Sequence, residues 1–409
     1  MKRKENNVKE KGACKLENKK NILIVDDSAL MRRVISDIIL SDNRFTVKDT
    51  ATNGLNALEL LMKNAKEYDL MLLDVNMPKM TGLELLTKLQ ENHISIKTIM
   101  VSTMVKEGTK ETILALERGA FDFITKPEDY LGVKDNRFKV KLLSGVCVAL
   151  GMKYSDNNDA DNRKSYRAEE KEYSKMSLSS ENKDKSNHLS TSIKYIPVRP
   201  PKNIRFARHK KYKGTKKGIK KLVAIASSTG GPKSLQSVIT KLPKNLDAPV
   251  VIVQHMPKGF TTSLAMRLNE LSEIEVKEAR DGEVLRKGCV YIAPGGLQTR
   301  IQKEGNEYAF SIKEEPARDG LKPCANIMYE SLIGSSFDEI TCVVLTGMGA
   351  DGTMGIGMLG EMNNVYVIAQ DEESCVVYGM PKSIAEAHVV DQVVSLENVA
   401  DAILKNVGC

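Results

Sequence analysis

Tryptophan is absent and histidine is scarce, with five in 409 residues, so chemistry that needs an imidazole has few places to sit. No run of about 18 apolar residues occurs, which excludes a transmembrane helix. Met1 to Lys20 is lysine-rich but has no apolar stretch, which excludes a secretory signal and predicts a disordered leader over 1–20. The seven cysteines are odd in number and form no C-x-x-C pair. That pattern excludes a disulfide framework and a zinc site, and predicts reduced thiols and a cytoplasmic location. No G-x-S-x-G elbow is present, so an ordinary α/β-hydrolase nucleophile is excluded. No helix-turn-helix pattern follows the first α/β region, which argues against a nucleic-acid partner.

Positive charge is abundant, but it is local. Of the net +8, residues 151–220 carry about 19 Lys and Arg against about 8 Asp and Glu, and the remainder is slightly acidic. Ser, Asn, Lys and Glu dominate there, and Pro197, Pro200 and Pro201 interrupt any periodicity. A basic low-complexity linker is expected over 141–220, with a span of roughly 45–55 Å if flexible. Residues 134–150 have the apolar spacing of one further helix, with Gly145 as an interruption.

On either side of that linker, strands and helices alternate, giving expected domains over 21–140 and 221–409. The fold class is α/β, with two doubly wound parallel sheets. In the first region, apolar runs end at Asp26-Asp27-Ser28, at Asp74, at Ser102 and at Thr125-Lys126. Adjacent strand tips bring Asp26, Asp27 and Asp74 together, and three carboxylates so close call for a divalent cation such as Mg²⁺. With Lys126 and the Ser102 hydroxyl nearby, such a carboxylate is placed to accept a phosphoryl group.

In the second region, Leu222–Ala226 runs into Ser227-Ser228-Thr229-Gly230-Gly231-Pro232, and Val250–Val253 runs into Gln254-His255-Met256-Pro257. A third strand, Ile340–Val344, leads to Leu345-Thr346-Gly347-Met348-Gly349-Ala350-Asp351-Gly352. Ser228, His255 and Asp351 at three strand tips are the nucleophile, base and orienting acid of a serine hydrolase. Of the other histidines, His188 and His209 fall in the linker, and His93 and His388 adjoin no comparable loop. Amides of Thr229, Gly230, Met348 and Gly349 are candidate oxyanion donors. One alternative stays open on these residues: Gly347 to Gly352 is a literal G-x-G-x-x-G with Asp371 nineteen residues on, the fingerprint of a dinucleotide-binding effector. A second alternative is a phosphorylation-controlled protein that binds receptors without turnover.

The first region resembles a response-regulator receiver over about 21–130, through Val25-Asp26-Asp27-Ser28, Leu73-Asp74-Val75-Asn76-Met77-Pro78, Val101-Ser102 and Thr125-Lys126-Pro127. The resemblance implies a flavodoxin-like fold and phosphorylation of Asp74 by a histidine kinase. It implies Mg²⁺ held by Asp26, Asp27, Asp74 and the Asn76 backbone carbonyl, and Ser102, Phe123 and Lys126 as switch residues. The second region resembles the catalytic domain of chemotaxis protein-glutamate methylesterases/protein-glutamine glutaminases. It shares the Ser227–Pro232, Gln254–Pro257 and Leu345–Gly352 motifs, together with Tyr291-Ile292-Ala293-Pro294-Gly295-Gly296 and Ala369-Gln370. That implies hydrolysis of glutamyl methyl esters on chemoreceptors, deamidation of receptor glutamines, no cofactor for hydrolysis, and relief of receiver inhibition on phosphorylation. No membrane insertion is expected.

Overall fold

The computed structural model describes residues 19–103, 106–127, 136–154, 206 and 221–408. The expected leader, and all of the expected linker beyond residue 154 except Phe206, lie outside the described residues.

The first unit is a five-stranded parallel sheet in the order β2-β1-β3-β4-β5. Its strands are β1 (Lys20–Val25), β2 (Phe45–Ala51), β3 (Leu70–Asp74), β4 (Thr98–Ser102) and β5 (Asp122–Thr125). The central strands β3 and β4 are buried along their whole length, because helices cover both faces, and this is why they read as unbroken apolar runs. The helices are α1 (Ala29–Leu40), α2 (Gly54–Asn64), α3 (Gly82–Glu91), α4 (Lys106–Glu117) and α5 (Asn136–Ala149). The strand order reverses between β1 and β3, which places the carboxylates that end these strands in one crevice. The helix α5 forms across Gly145 and buries Phe138, Leu142, Leu143 and Val146 against β4 and β5.

The second unit is a seven-stranded parallel sheet in the order β14-β13-β12-β6-β7-β9-β8. In chain order its strands are β6 (Lys221–Ser227), β7 (Val250–Gln254), β8 (Glu275–Glu278), β9 (Cys289–Ile292), β12 (Glu339–Val344), β13 (Val365–Gln370) and β14 (Gln392–Val394). An antiparallel hairpin, β10 (Gln298–Glu304) and β11 (Glu307–Lys313), stands apart from it. The helices are α6 (Gly231–Ile239), α7 (Phe260–Leu271), α8 (Ala325–Glu330), α9 (Thr353–Met362), α10 (Met380–Glu386) and α11 (Val399–Val407). Here the strand order reverses between β6 and β12, with β7 on the other side of β6. Ser228, His255 and Asp351 follow these three neighbouring strands. No helix among the described residues is long and apolar enough to cross a membrane.

The two units are packed together. One buried apolar cluster runs from the first unit into the second, taking in Ile113, Leu116, Phe260 and Leu264.

Candidate active site

The second unit's chemistry is built from strand tips. Because β6 and β7 are in register at Ser227 and Gln254, the backbone N–H of His255 donates to Ser227 O at 3.1 Å. The Ser228 N–H donates to Thr346 O at 3.0 Å, which ties the serine to the loop after β12. Asp351 ends that loop, and Gly352 caps α9 at φ +92°, a left-handed value suited to glycine.

The Asp351 carboxylate receives five donors. His255 Nε2 lies 2.8 Å from its Oδ2, and the Ala325 N–H donates to the same oxygen at 2.6 Å. The amides of Asn326 and Gly352 reach Oδ1 at 2.9 and 3.0 Å, and the Cys324 thiol reaches it at 3.2 Å. Burial alone would raise this carboxyl, but the bonds from His255, Asn326 and Ala325 outweigh it and hold Asp351 below its ordinary value. The acid is therefore ionised and acts only as an acceptor, so His255 carries its proton on Nε2. Nδ1 is then the nitrogen with the free lone pair. The ring is held by the opposite nitrogen from the usual serine-protease arrangement.

Ser228 Oγ makes no hydrogen bond to His255, or to any other described residue. The structure thus brings together the expected base and acid, and leaves the serine hydroxyl unengaged on the neighbouring loop. The N–H groups of Thr229, Gly230, Met348 and Gly349 are likewise without partners among the described residues. These four amides flank Ser228 on two loops that Thr346 joins, its Oγ1 donating to Thr229 O at 3.1 Å.

The first unit covers this site. The Thr229 hydroxyl donates to Asp122 Oδ2 at 2.7 Å, and the Ser144 hydroxyl lies 4.0 Å from the Met348 sulfur. Phe123 stacks on Phe260 with centroids 4.5 Å apart. Arg267 grips Glu117 through two bonds of 2.8 and 3.0 Å, and Thr109 Oγ1 pairs with Ser263 Oγ at 2.8 Å. Burial pushes the Asp122 carboxyl up to about 6, against the Thr229 and Phe123 hydrogen bonds that favour its charged form.

In the first unit, Asp26, Asp27 and Asp74 each place a carboxylate oxygen within 4.8 Å of the others. The Lys126 ammonium bridges Asp26 at 2.8 Å and Asp74 at 2.7 Å. Burial pushes Asp74 up to about 6, because the neighbouring Lys126 only partly offsets the cost of desolvating the charge. Asn76 is exposed two residues beyond Asp74. The Ser102 hydroxyl is buried at the end of β4 and accepts from Thr112 Oγ1 at 3.0 Å.

Asp371, the ribose-binding residue of the dinucleotide alternative, is used locally: Oδ1 accepts from the N–H and hydroxyl of Ser374 at 3.0 and 2.6 Å. Sequence reasoning missed the Asp351 cradle of Cys324, Ala325 and Asn326, whose spacing carries no signal. It also missed Asp122, a strand-start aspartate that becomes notable only through its partner.

The CheB methylesterase family model matches residues 223–403, and the response regulator receiver domain model matches 22–132. A protein-glutamate methylesterase/protein-glutamine glutaminase of Halalkalibacterium halodurans is 39% identical over 95% of this chain and 99% of its own. The protein of that name from Bacillus subtilis is 40% identical over 93% of this chain and 97% of its own. The crystal structure of the Thermotoga maritima CheB methylesterase catalytic domain is 41% identical, covers 46% of this chain and 98% of its own, and superposes with a TM-score of 0.44.

Proposed function

Since this chain belongs to the protein-glutamate methylesterase/protein-glutamine glutaminase family, we propose that it hydrolyses glutamyl methyl esters on chemoreceptors with Ser228 as nucleophile. It is a hydrolase of chemotaxis adaptation that carries a response-regulator receiver. The observation that carries the assignment of residues is the His255–Asp351 pair of 2.8 Å, its acid saturated by donors, beside a serine hydroxyl and four amides left unpaired among the described residues. Ser228 Oγ attacks the ester carbonyl carbon and gives its proton to His255 Nδ1. The unpaired amides of Thr229, Gly230, Met348 and Gly349 stabilise the oxyanion. The C–OCH₃ bond breaks, and methanol leaves with the proton returned by His255. Water then attacks the acyl-serine, again losing a proton to His255, and free glutamate and Ser228 are regenerated. With glutamine the same steps release ammonia.

In this reading the receiver runs from 21 through α5 (Asn136–Ala149), which carries its end past the expected boundary at 140 because Leu142, Leu143 and Val146 are buried in its core; the linker is the rest of the stretch up to 220, and 221–409 is the catalytic unit. Its partners are chemoreceptors and the histidine kinase of the same pathway, and its place is the cytoplasm, in keeping with the free thiols of Cys147, Cys289, Cys324, Cys342 and Cys375.

The receiver's all-oxygen cluster fits Mg²⁺, a hard cation that takes carboxylate and carbonyl ligands. Asp26, Asp27, Asp74 and the Asn76 carbonyl would hold it, and when bound it offsets charge on phosphoryl oxygens. Asp74 must be ionised to attack phosphorus. With its carboxyl pushed up to about 6, phosphorylation by a small-molecule phosphoryl donor should slow as pH falls through that value and level off above it. Saturating Mg²⁺ favours the carboxylate and should move the fall to lower pH. A phosphorylation rate that stays flat from about pH 5 to 7.5 at low Mg²⁺ would contradict this assignment.

The packed arrangement is the resting state in this reading: Asp122 and Ser144 lie against the two candidate oxyanion loops. Arg267→Glu places a carboxylate against Glu117 at the interface, and among the described residues Arg267 bonds only Glu117 and Glu270. The unphosphorylated chain should then release methanol roughly tenfold faster, and the phosphorylated chain should be little changed. An unaltered basal rate, with the fold intact, would show that this docking does not restrain turnover.

A further inference from the structure

We propose that Gln254 is the positioning residue that aims the oxyanion amides, a role that rests on reading Ser228 as the nucleophile. Gln254 ends β7, is buried, and lies in register with Ser227 on β6, so both side chains emerge on the same side of the sheet. Its amide makes three contacts. Oε1 accepts from the Ser227 hydroxyl at 2.7 Å, while Nε2 donates to Ser228 O at 2.9 Å and lies 3.3 Å from His255 O. One side chain therefore touches the residue before the nucleophile, the nucleophile's own carbonyl and the carbonyl of the base.

The consequence lies in the peptide between Ser228 and Thr229. In a planar trans peptide the N–H points opposite to the C=O. Ser228 O is fixed by two donors, Gln254 Nε2 and the Gly231 N–H at 2.7 Å. Fixing that oxygen points the Thr229 N–H the opposite way within the peptide plane, where it has no partner among the described residues. The loop is shaped around this contact: a Cβ on Gly231 would collide with Gln254 Oε1, so the chain can pass over the amide only as glycine. Only a side chain that accepts from Ser227 while donating to Ser228 O fills the position, and an amide does both. Glutamate keeps the shape and loses the donor, and methionine keeps the length and loses both functions.

The test uses the full chain with a phosphoryl donor and Mg²⁺ present, and reads methanol release from methylated chemoreceptors alongside the thermal midpoint. Gln254→Met should lower kcat by on the order of 10² to 10³, the loss associated with one oxyanion donor, with KM changed by less than about threefold. Gln254→Glu should match that loss at alkaline pH. It should then gain on Gln254→Met as pH falls, because a neutral carboxyl regains an O–H for Ser228 O. A residue that merely filled the core would shift the midpoint without separating kcat from KM, and without this pH-dependent ratio. Should either variant fail to fold, Ser227→Ala removes only the hydroxyl keyed to Oε1 and should lower kcat alone, by about tenfold. Folded variants with kcat within about threefold of the wild type overturn the proposal. Ser228→Ala run beside them separates the two ideas. Turnover surviving in Ser228→Ala would end the nucleophile assignment and this proposal with it, whereas a dead Ser228→Ala beside a fully active Gln254→Met would remove Gln254 alone.

Discussion

Ser228→Ala is expected to lower methanol release by on the order of 10⁶ while the protein folds normally. The size follows from the chemistry: without the Oγ no acyl intermediate forms, and His255 and Asp351 have no nucleophile to serve. The intact fold follows from the contacts. Ser228 Oγ bonds nothing among the described residues, and the interactions that place the residue come from its backbone, the N–H to Thr346 O and the carbonyl to Gly231 and Gln254. Alanine keeps all of them. The pair of measurements is methanol release and the thermal midpoint, and turnover within about tenfold of the wild type would take Ser228 out of the mechanism.

Asp351→Asn should cost roughly 10⁴ in turnover, the loss seen when a triad acid becomes an amide. The local geometry makes the change severe. The backbone N–H groups of Ala325, Asn326 and Gly352 can only donate, so an NH₂ on either oxygen's position leaves at least one of them unpaired, and the NH₂ finds an acceptor in His255 Nε2 only in the wrong tautomer. Leaving such buried donors unpaired costs about 1–3 kcal/mol, so the variant should also melt earlier. Its other effect is on the imidazole: without the anion at Nε2, the tautomer that leaves Nδ1 free is no longer favoured. Linkage has a definite sign here. The folded-state pKa of Asp351 is depressed, so its stabilising contribution is present above the ordinary carboxylate range and is lost as pH falls through its folded value. Asp351→Asn should therefore flatten the acid limb of stability against pH. Wild-type turnover and an unchanged acid limb would contradict the assignment.

Much of this site was legible in the sequence because parallel α/β sheets gather polar residues at strand tips. The runs Leu222–Ala226, Val250–Val253 and Ile340–Val344 are buried on both faces and announce themselves without periodicity. Asp26, Asp74, Ser228, His255 and Asp351 could then be placed by where those runs stop. The edge strand β5 was read, but the edge strands β2 and β8 were not. β2 reads Phe-Thr-Val-Lys-Asp-Thr-Ala and β8 reads Glu-Val-Lys-Glu, each half-exposed and charged, so neither shows an apolar run. The β10–β11 hairpin was missed as well. Gly145 argued against α5, but burial of Phe138, Leu142 and Val146 outweighs the propensity cost of one glycine, about 1 kcal/mol. The hydrogen-bond detail was beyond reach for a different reason. Which imidazole nitrogen meets Asp351 depends on how side chains settle within the second unit, and that Asp122 meets Thr229 across 107 positions depends on how the two units pack; no local pattern encodes either. The same holds for Gln254, visible in sequence as part of a motif but without its three contacts.

The central claim is that a receiver packed over a serine-hydrolase cleft restrains it until Asp74 is phosphorylated. The most direct measurement is methanol release from methylated chemoreceptors by the full chain, before and after adding a phosphoryl donor with Mg²⁺, in the wild type and in Asp74→Asn. The account predicts low release that rises on phosphorylation in the wild type, and no rise in Asp74→Asn. Equal release with and without the donor, when Asp74 is shown to be phosphorylated, would contradict it.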